Sequence, residues 1–229
     1  MPGSAACRAI RTAGRLKSVA AADTLDIGRW TALWTSLGAH GDGLTVFTRL
    51  AAAYGDAARA YHTAAHIQDC LVQLDLSRTT ARRPEEVEAA LWFHDAVYQP
   101  DRSDNEDRSA EIARSTLQEA GVSSKEVERV AELILATRHT VIPSDPDAAL
   151  LCDIDLSILG RSPVVFNRYE RQIRREYAWV PDFKYRSTRS EILQRFLQRR
   201  SIYQTSLFRS RYEVPARANL MRLLKKLGA

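Results

Sequence analysis

Apolar residues return at intervals of three and four along most of the chain, and nowhere do they alternate with polar ones over the length of a strand. Trp30, Leu33 and Trp34 set a helix over 26–37, which ends at the break from Gly38 to Gly43. Leu44 to Tyr54 is helical until Gly55 interrupts it. The same spacing predicts helices near 62–77, 85–97, 105–120, 123–139, 147–158, 162–178, 186–208 and 214–227. Several have recognisable entrances. Pro84, Glu85 and Glu86 put a proline and two acids in a first turn, Ser123 followed by Glu126 reads as an N-cap, and Asp104 or Asn105 can cap the helix that follows. Gly121 and Gly160 read as stops. There is no repeat of solenoid length and no low-complexity linker. The pattern predicts an all-α fold, with residues 1–22 a flexible basic tail and 23–229 a single compact multi-helix domain ending in an extended C-terminal helical region.

Composition narrows this picture. With 229 residues, 45% of them hydrophobic and 27% charged, the chain can bury a substantial core as an ordinary soluble domain. Only 10 glycines and 8 prolines favour long helices over many short turns. No apolar run approaches the ~18 residues that a membrane span needs. No apolar stretch follows Arg8, Arg11, Arg15 and Lys17 as a secretory leader would require. Cys7, Cys70 and Cys152 form no CxxC pattern, and this usage fits a reduced, cytoplasmic chain.

The net charge of +5 is unevenly spread. Residues 1–22 carry four basic residues and no acidic one, 23–160 carry 12 basic and 23 acidic, and 161–229 carry 17 basic and 5 acidic. The acidic segment holds the candidate metal ligands, and the basic segment can offer cations to a phosphate or to nucleic acid. Arginine-rich helical faces are more often solvated or paired, so nucleic acid is not the favoured partner.

Four of the five histidines stand in or beside acidic clusters within predicted helices. His62 and His66 are four residues apart and share a face. No glutamate follows His62, so the pair is not the HExxH zinc-protease motif. His94 and Asp95 follow Trp92 and Phe93 on a helix with an apolar face, and a buried aspartate beside a buried histidine needs partners. His139 closes another helix. Asp153 and Asp155 lie in the apolar run from Leu150 to Leu159 and also need a cation or strong donors. Positions two apart on a helix point about 200° apart, so one of these two carboxylates faces a shared centre. Imidazole nitrogens with carboxylate oxygens suit a divalent transition metal or Mg²⁺, and such an ion activates water.

The order of these residues resembles the HD-domain superfamily of metal-dependent phosphohydrolases: a histidine, a His-Asp pair about 28 residues later, then a distant aspartate. The run from about 26 to 227 resembles one bacterial branch of it, the predicted metal-dependent HD-superfamily phosphohydrolases. The likeness rests on Tyr61 to Ile67, Phe93 to Tyr98, Asn105-Glu106 with Ser109-Ala110, and Asp153 to Gly160. Downstream it continues in Ile173 to Tyr177, Phe196 to Arg199 and Ala216 to Leu220. The resemblance implies His66, His94, Asp95 and Asp155 as metal ligands, with Asp153 the alternate to Asp155. The ion it implies is divalent, and the ligands do not distinguish Mn, Mg, Fe, Co, Ni or Zn. His62 and His139 would support the ligands, bind phosphate or hold a second metal. Glu106 would orient water or shuttle a proton; a first-turn acid complementing the helix dipole is the plainer alternative.

The substrate so implied is a small phosphomonoester or phosphodiester, with nucleotides among the candidates. Arg59, Arg138, Lys184, Arg186 and Arg189 are the groups expected to meet its phosphate, because a guanidinium can grip phosphate with two hydrogen bonds. Two rival readings stay open on sequence. One is a metal- or nucleotide-binding sensor or interaction module without turnover. The other is a nucleic-acid-binding protein using the basic C-terminal segment.

Overall fold

The computed structural model describes residues 25–228. The tail reading for 1–22 lies outside the described residues. Ten α-helices make up the fold, and there is no strand among the described residues. They are α1 (Ile27–Ser36), α2 (Gly43–Tyr54), α3 (Ala64–Ser77), α4 (Pro84–Phe93), α5 (Asn105–Glu119), α6 (Ser124–Ala136), α7 (Pro146–Asp155), α8 (Pro163–Glu176), α9 (Asp182–Gln198) and α10 (Ser206–Leu227). A 3₁₀ turn, Leu156–Gly160, continues α7. No helix among the described residues is long and apolar enough to cross a membrane.

Local chemistry sets many of the boundaries. Asp26, Asp42, Ser123, Asp145 and Thr205 each accept a backbone N–H at the start of their helix, which satisfies donors that the first turn leaves unpaired. Proline occupies the first turn of α4, α7 and α8, where its missing N–H is harmless. Asp104 precedes α5 without capping it through its side chain; Asn105 instead exchanges hydrogen bonds with the backbone of Gln99. Gly121, at φ 78°, turns the chain between α5 and α6, which pack against each other.

Helix α4 is the centre of the molecule. From Glu86 to Phe93 every residue is buried, and the helix packs against α1, α3, α5, α6 and α7. Trp92 meets Trp30 edge to face at 5.3 Å. Leu91, Ile67, Leu74, Leu117, Ile134 and Leu151 fill the space around it. Its two buried acids are ion-paired, Glu86 with Arg129 and Glu88 with Arg29 and Arg78, and the polar centre of the protein forms at the C-terminal end of α4.

Gly160 stops the 3₁₀ turn for a packing reason. A Cβ there would lie 2.6 Å from the Tyr212 Cβ and 2.8 Å from its carbonyl oxygen. Gly160→Ala is therefore expected to force α10 away from the turn and to cost about 1–3 kcal/mol, read as a lower melting temperature. An unchanged melting temperature would mean that this contact yields freely.

Several expected helices end elsewhere. The one placed over 85–97 ends at Phe93, and the one placed over 123–139 ends at Ala136. The one placed over 186–208 begins at Asp182, ends at Gln198 and is followed by a bend. Helix α10 then starts at Ser206 and runs through Pro215, losing one backbone hydrogen bond there. Distant carboxylates make the bend. Glu213 accepts the N–H groups of Ile202 and Tyr203, and Asp153 accepts those of Gln204 and Thr205. Four consecutive amides are thereby drawn inward, and Ile202 and Tyr203 are buried.

Candidate metal centre

His94 and Asp95 follow the last residue of α4. His94 keeps helical backbone angles, φ −57° and ψ −33°, with its N–H bonded to the Ala90 carbonyl. Both side chains face one centre, with His94 Nε2 3.2 Å from Asp95 Oδ2. His66, in the first turn of α3, brings its Nε2 to 3.3 Å from His94 Nε2 and 3.6 Å from Asp95 Oδ2. Asp155, the last residue of α7, places Oδ1 3.2 Å from His66 Nε2 and 3.8 Å from His94 Nε2.

His66, His94 and Asp155 present ligand atoms within 4.8 Å of one another, a spacing that could hold one ion, and Asp95 approaches the two histidines. Two ligand atoms about 2.1 Å from a metal and 90–109° apart lie about 3.0–3.4 Å from each other. The groups behind the ligands are also arranged for the task. His94 Nδ1 is 2.9 Å from the Leu91 carbonyl, which fixes the proton on Nδ1 and turns the Nε2 lone pair to the centre. His139 Nε2 is 2.7 Å from the other Asp155 oxygen, Oδ2. His139 reaches it from a backbone with φ 55°, just after α6, held by a hydrogen bond from Arg199 to its carbonyl oxygen. Cys70 lies beside His66, but burial pushes its thiol well up, so it faces the centre as a neutral thiol.

Without an ion the charges divide between the same groups. Burial opposes a charged His94, yet the Asp95 carboxylate outweighs it and raises the imidazole to about 9. Burial likewise opposes charge on His139, and its hydrogen bond to Asp155 raises it to about 10. Burial would raise Asp95 and Asp155, but the surrounding imidazoles hold both well below the usual carboxylate range. The carboxylates are ready to ligate, whereas His94 must first release a proton. Metal affinity is therefore expected to climb with pH until about 9, with protons released on binding. Calorimetry in buffers of differing ionisation enthalpy measures that release, and binding that takes up no buffer dependence would contradict it.

His62 stands at the rim. Its ring stacks on Tyr98 at 3.9 Å, and its Nδ1 is 2.8 Å from Glu176 Oε2. Glu176 also accepts the N–H groups of Ala60, Tyr61 and His62, and the hydroxyl of Tyr98. Burial disfavours a charged His62, but Asp95 and Glu176 outweigh it and raise its pKa. The centre opens into a cleft of about 700 Å³ whose walls include His62, Glu106, Arg138, Arg189, Arg195 and Arg199.

Several expected residues are placed elsewhere. Asp153 points away from the centre and accepts three hydrogen bonds from Gln204 and Thr205, as the 200° separation from Asp155 requires. Arg59 turns inward and donates to the carbonyls of His62, Asp95 and Ala96, so it clamps the loops that carry the site. Arg186 donates to the carbonyls of Lys226 and Leu227 at the end of α10. Lys184 borders a neighbouring cavity and does not line the cleft of the metal centre. Both lie within α9 and not in a turn before it. Arg189 lines the cleft but is ion-paired with Glu170 and bonded to the Tyr169 hydroxyl at 3.1 Å. Arg138 lines it and pairs with Asp107. Glu106 lines it from the first turn of α5.

Sequence reasoning gave no role to Glu176, Arg195 or Arg199. Arg195, in the last turn of α9, and Arg199, just past its end, are four residues apart, and Arg195 makes no hydrogen bond or ion pair within the described residues. The repeat Tyr185, Arg189, Ile192, Phe196 marks one face of α9 and leads to Arg199 just past its end, which was the available signal for Arg199; Arg195 lies off that repeat. Glu176 lies in the stretch Ile173 to Tyr177 that carries part of the family likeness, and that was its available signal. No protein-family model, curated protein or solved structure matches the chain.

Proposed function

We propose that the protein is a metal-dependent phosphohydrolase of the HD-domain type, acting on a small phosphomonoester or phosphodiester. The observation that carries this reading is the cluster of His66, His94 and Asp155, whose ligand atoms lie within 4.8 Å of one another, with Asp95 beside the two histidines and a cleft walled in part by arginines next to them. When bound there, a divalent ion would supply Lewis acidity and a water of lowered pKa.

The chain's own groups complete the chemistry. His139 orients the Asp155 carboxylate through Oδ2 and leaves Oδ1 for the centre. Arg195, with no anionic partner of its own, offsets charge on the phosphoryl oxygens, and Arg138 and Arg199 add to the field. His62, held by Glu176 on Nδ1, is the group at the rim that would pass a proton to the leaving oxygen. Arg59 keeps the two ligand-bearing loops in register through three carbonyls.

Metal analysis of the purified protein, followed by a panel of phosphomonoesters and phosphodiesters, tests this reading. Metal-dependent phosphate release that disappears in His94→Ala is the expected result. Stoichiometric metal with no turnover on any ester would favour a non-catalytic metal-binding module instead.

A further inference from the structure

A second cavity, of about 400 Å³, adjoins the metal cleft and shares His62, Tyr98, Tyr169, Tyr177, Arg189 and Ile192 with it. Its remaining walls include Trp179 and Tyr185. We propose that this annex receives a flat heteroaromatic ring of the substrate while the attached phosphate lies in the metal cleft. The preferred substrates are then phosphoesters of ring-bearing alcohols, the class to which nucleotides belong. The proposal rests on the phosphohydrolase reading for the position of the phosphate, and on the annex alone for the ring.

Aromatic walls suit two kinds of occupant, a flat ring or an organic cation. The charges of the annex separate them. Arg174 already lies over the Tyr185 ring at 4.6 Å, and Arg189 lies over the Tyr169 ring at 5.6 Å. Lys184 is exposed at the border and has no ion pair within the described residues. The nearby acids are engaged: Glu170 with Arg189, Glu176 with His62, and Asp182 with Arg174. A cationic head group would meet uncompensated positive charge, whereas a neutral ring would not.

Two further features favour a ring with polar edges. The Tyr185 hydroxyl is buried without a hydrogen-bond partner, a cost that a ligand acceptor would relieve. Trp179 is 63% exposed, a large indole left open at the edge of the cavity. Stacking on such side chains is tolerant of which ring is presented and contributes enough to change affinity about ten-fold or more per base.

The test is equilibrium binding of adenosine, ribose 5-phosphate and choline to the metal-stripped full chain, and to Trp179→Ala and Thr188→Trp. Thr188 is exposed on the cavity wall, so the indole placed there blocks the annex without disturbing the core. Adenosine should bind the wild-type protein and not be displaced by choline. It should weaken about ten-fold in both variants, while ribose 5-phosphate is unaffected. No measurable adenosine binding, adenosine binding indifferent to both substitutions, or preferential binding of choline would each overturn the proposal. Adenosine carries no phosphate and the protein no metal in this assay, so its outcome is independent of whether the protein hydrolyses phosphoesters.

Discussion

Asp95→Asn is expected to strip the metal and abolish phosphoester hydrolysis while leaving the protein folded. The amide keeps the shape of the side chain and removes its charge. Its oxygen is a weaker donor to a divalent cation, and the carboxylate that outweighs burial at His94 is gone. The loss of metal affinity should exceed the ~10–100-fold typical of changes behind the ligands. His139→Gln supplies the comparison, because it disturbs only the far oxygen of Asp155. Metal content by mass spectrometry and helicity by circular dichroism separate the two cases. An Asp95→Asn protein that retains a full equivalent of metal would remove Asp95 from the coordination sphere.

The second large effect is expected at Glu176. This carboxylate closes the loop that leads into α3, accepting three consecutive backbone N–H groups as well as His62 and Tyr98. Glu176→Ala leaves those donors and the His62 imidazole without a partner. Breaking such a buried arrangement costs about 3–5 kcal/mol, which for a chain of this size lowers the melting temperature by roughly 6–20 °C. The carboxyl also carries a pH signature. Burial would raise it, but His62 and the backbone donors hold it at about 2 against a usual value of 4.5. Its contribution to stability is thus fully present above about 4.5 and is lost as the pH falls towards about 2. Thermal melts of wild type and Glu176→Ala should converge through that window. A constant gap between them would show that the charge of Glu176 is not what stabilises the loop.

The residues nearest the centre were the most legible in the sequence. His94 and Asp95, and the pair Asp153 and Asp155, stand in apolar surroundings where a charge demands partners, and that demand is readable without coordinates; the choice of His66 and of Asp155 came from the family resemblance. The angle between Asp153 and Asp155 was readable too, since it depends only on helical pitch. What could not be read was supplied from far along the chain. The bend after α9 is drawn by Glu213 and by Asp153, the latter about 50 residues upstream. The loop at His62 is tied down by Glu176, 114 residues away. Helical periodicity carries no record of such bonds, so it ran α9 on past its true end and missed Glu176. The arginines were misjudged for the same reason: Arg59, Arg186 and Arg189 find carbonyls or carboxylates inside the fold, while Arg195, four residues from Arg199, is left facing the cleft.

The central claim is that an ion held by His66, His94, Asp95 and Asp155 drives phosphoester hydrolysis. Its most direct test is phosphate release by metal-stripped protein as Mn²⁺ is titrated in, with bound metal measured on the same samples. Hydrolysis should be absent at the start and rise in proportion to the metal bound, and Asp95→Asn should show neither. Phosphate release that is undiminished in the stripped protein, or unchanged by Asp95→Asn, would contradict the account.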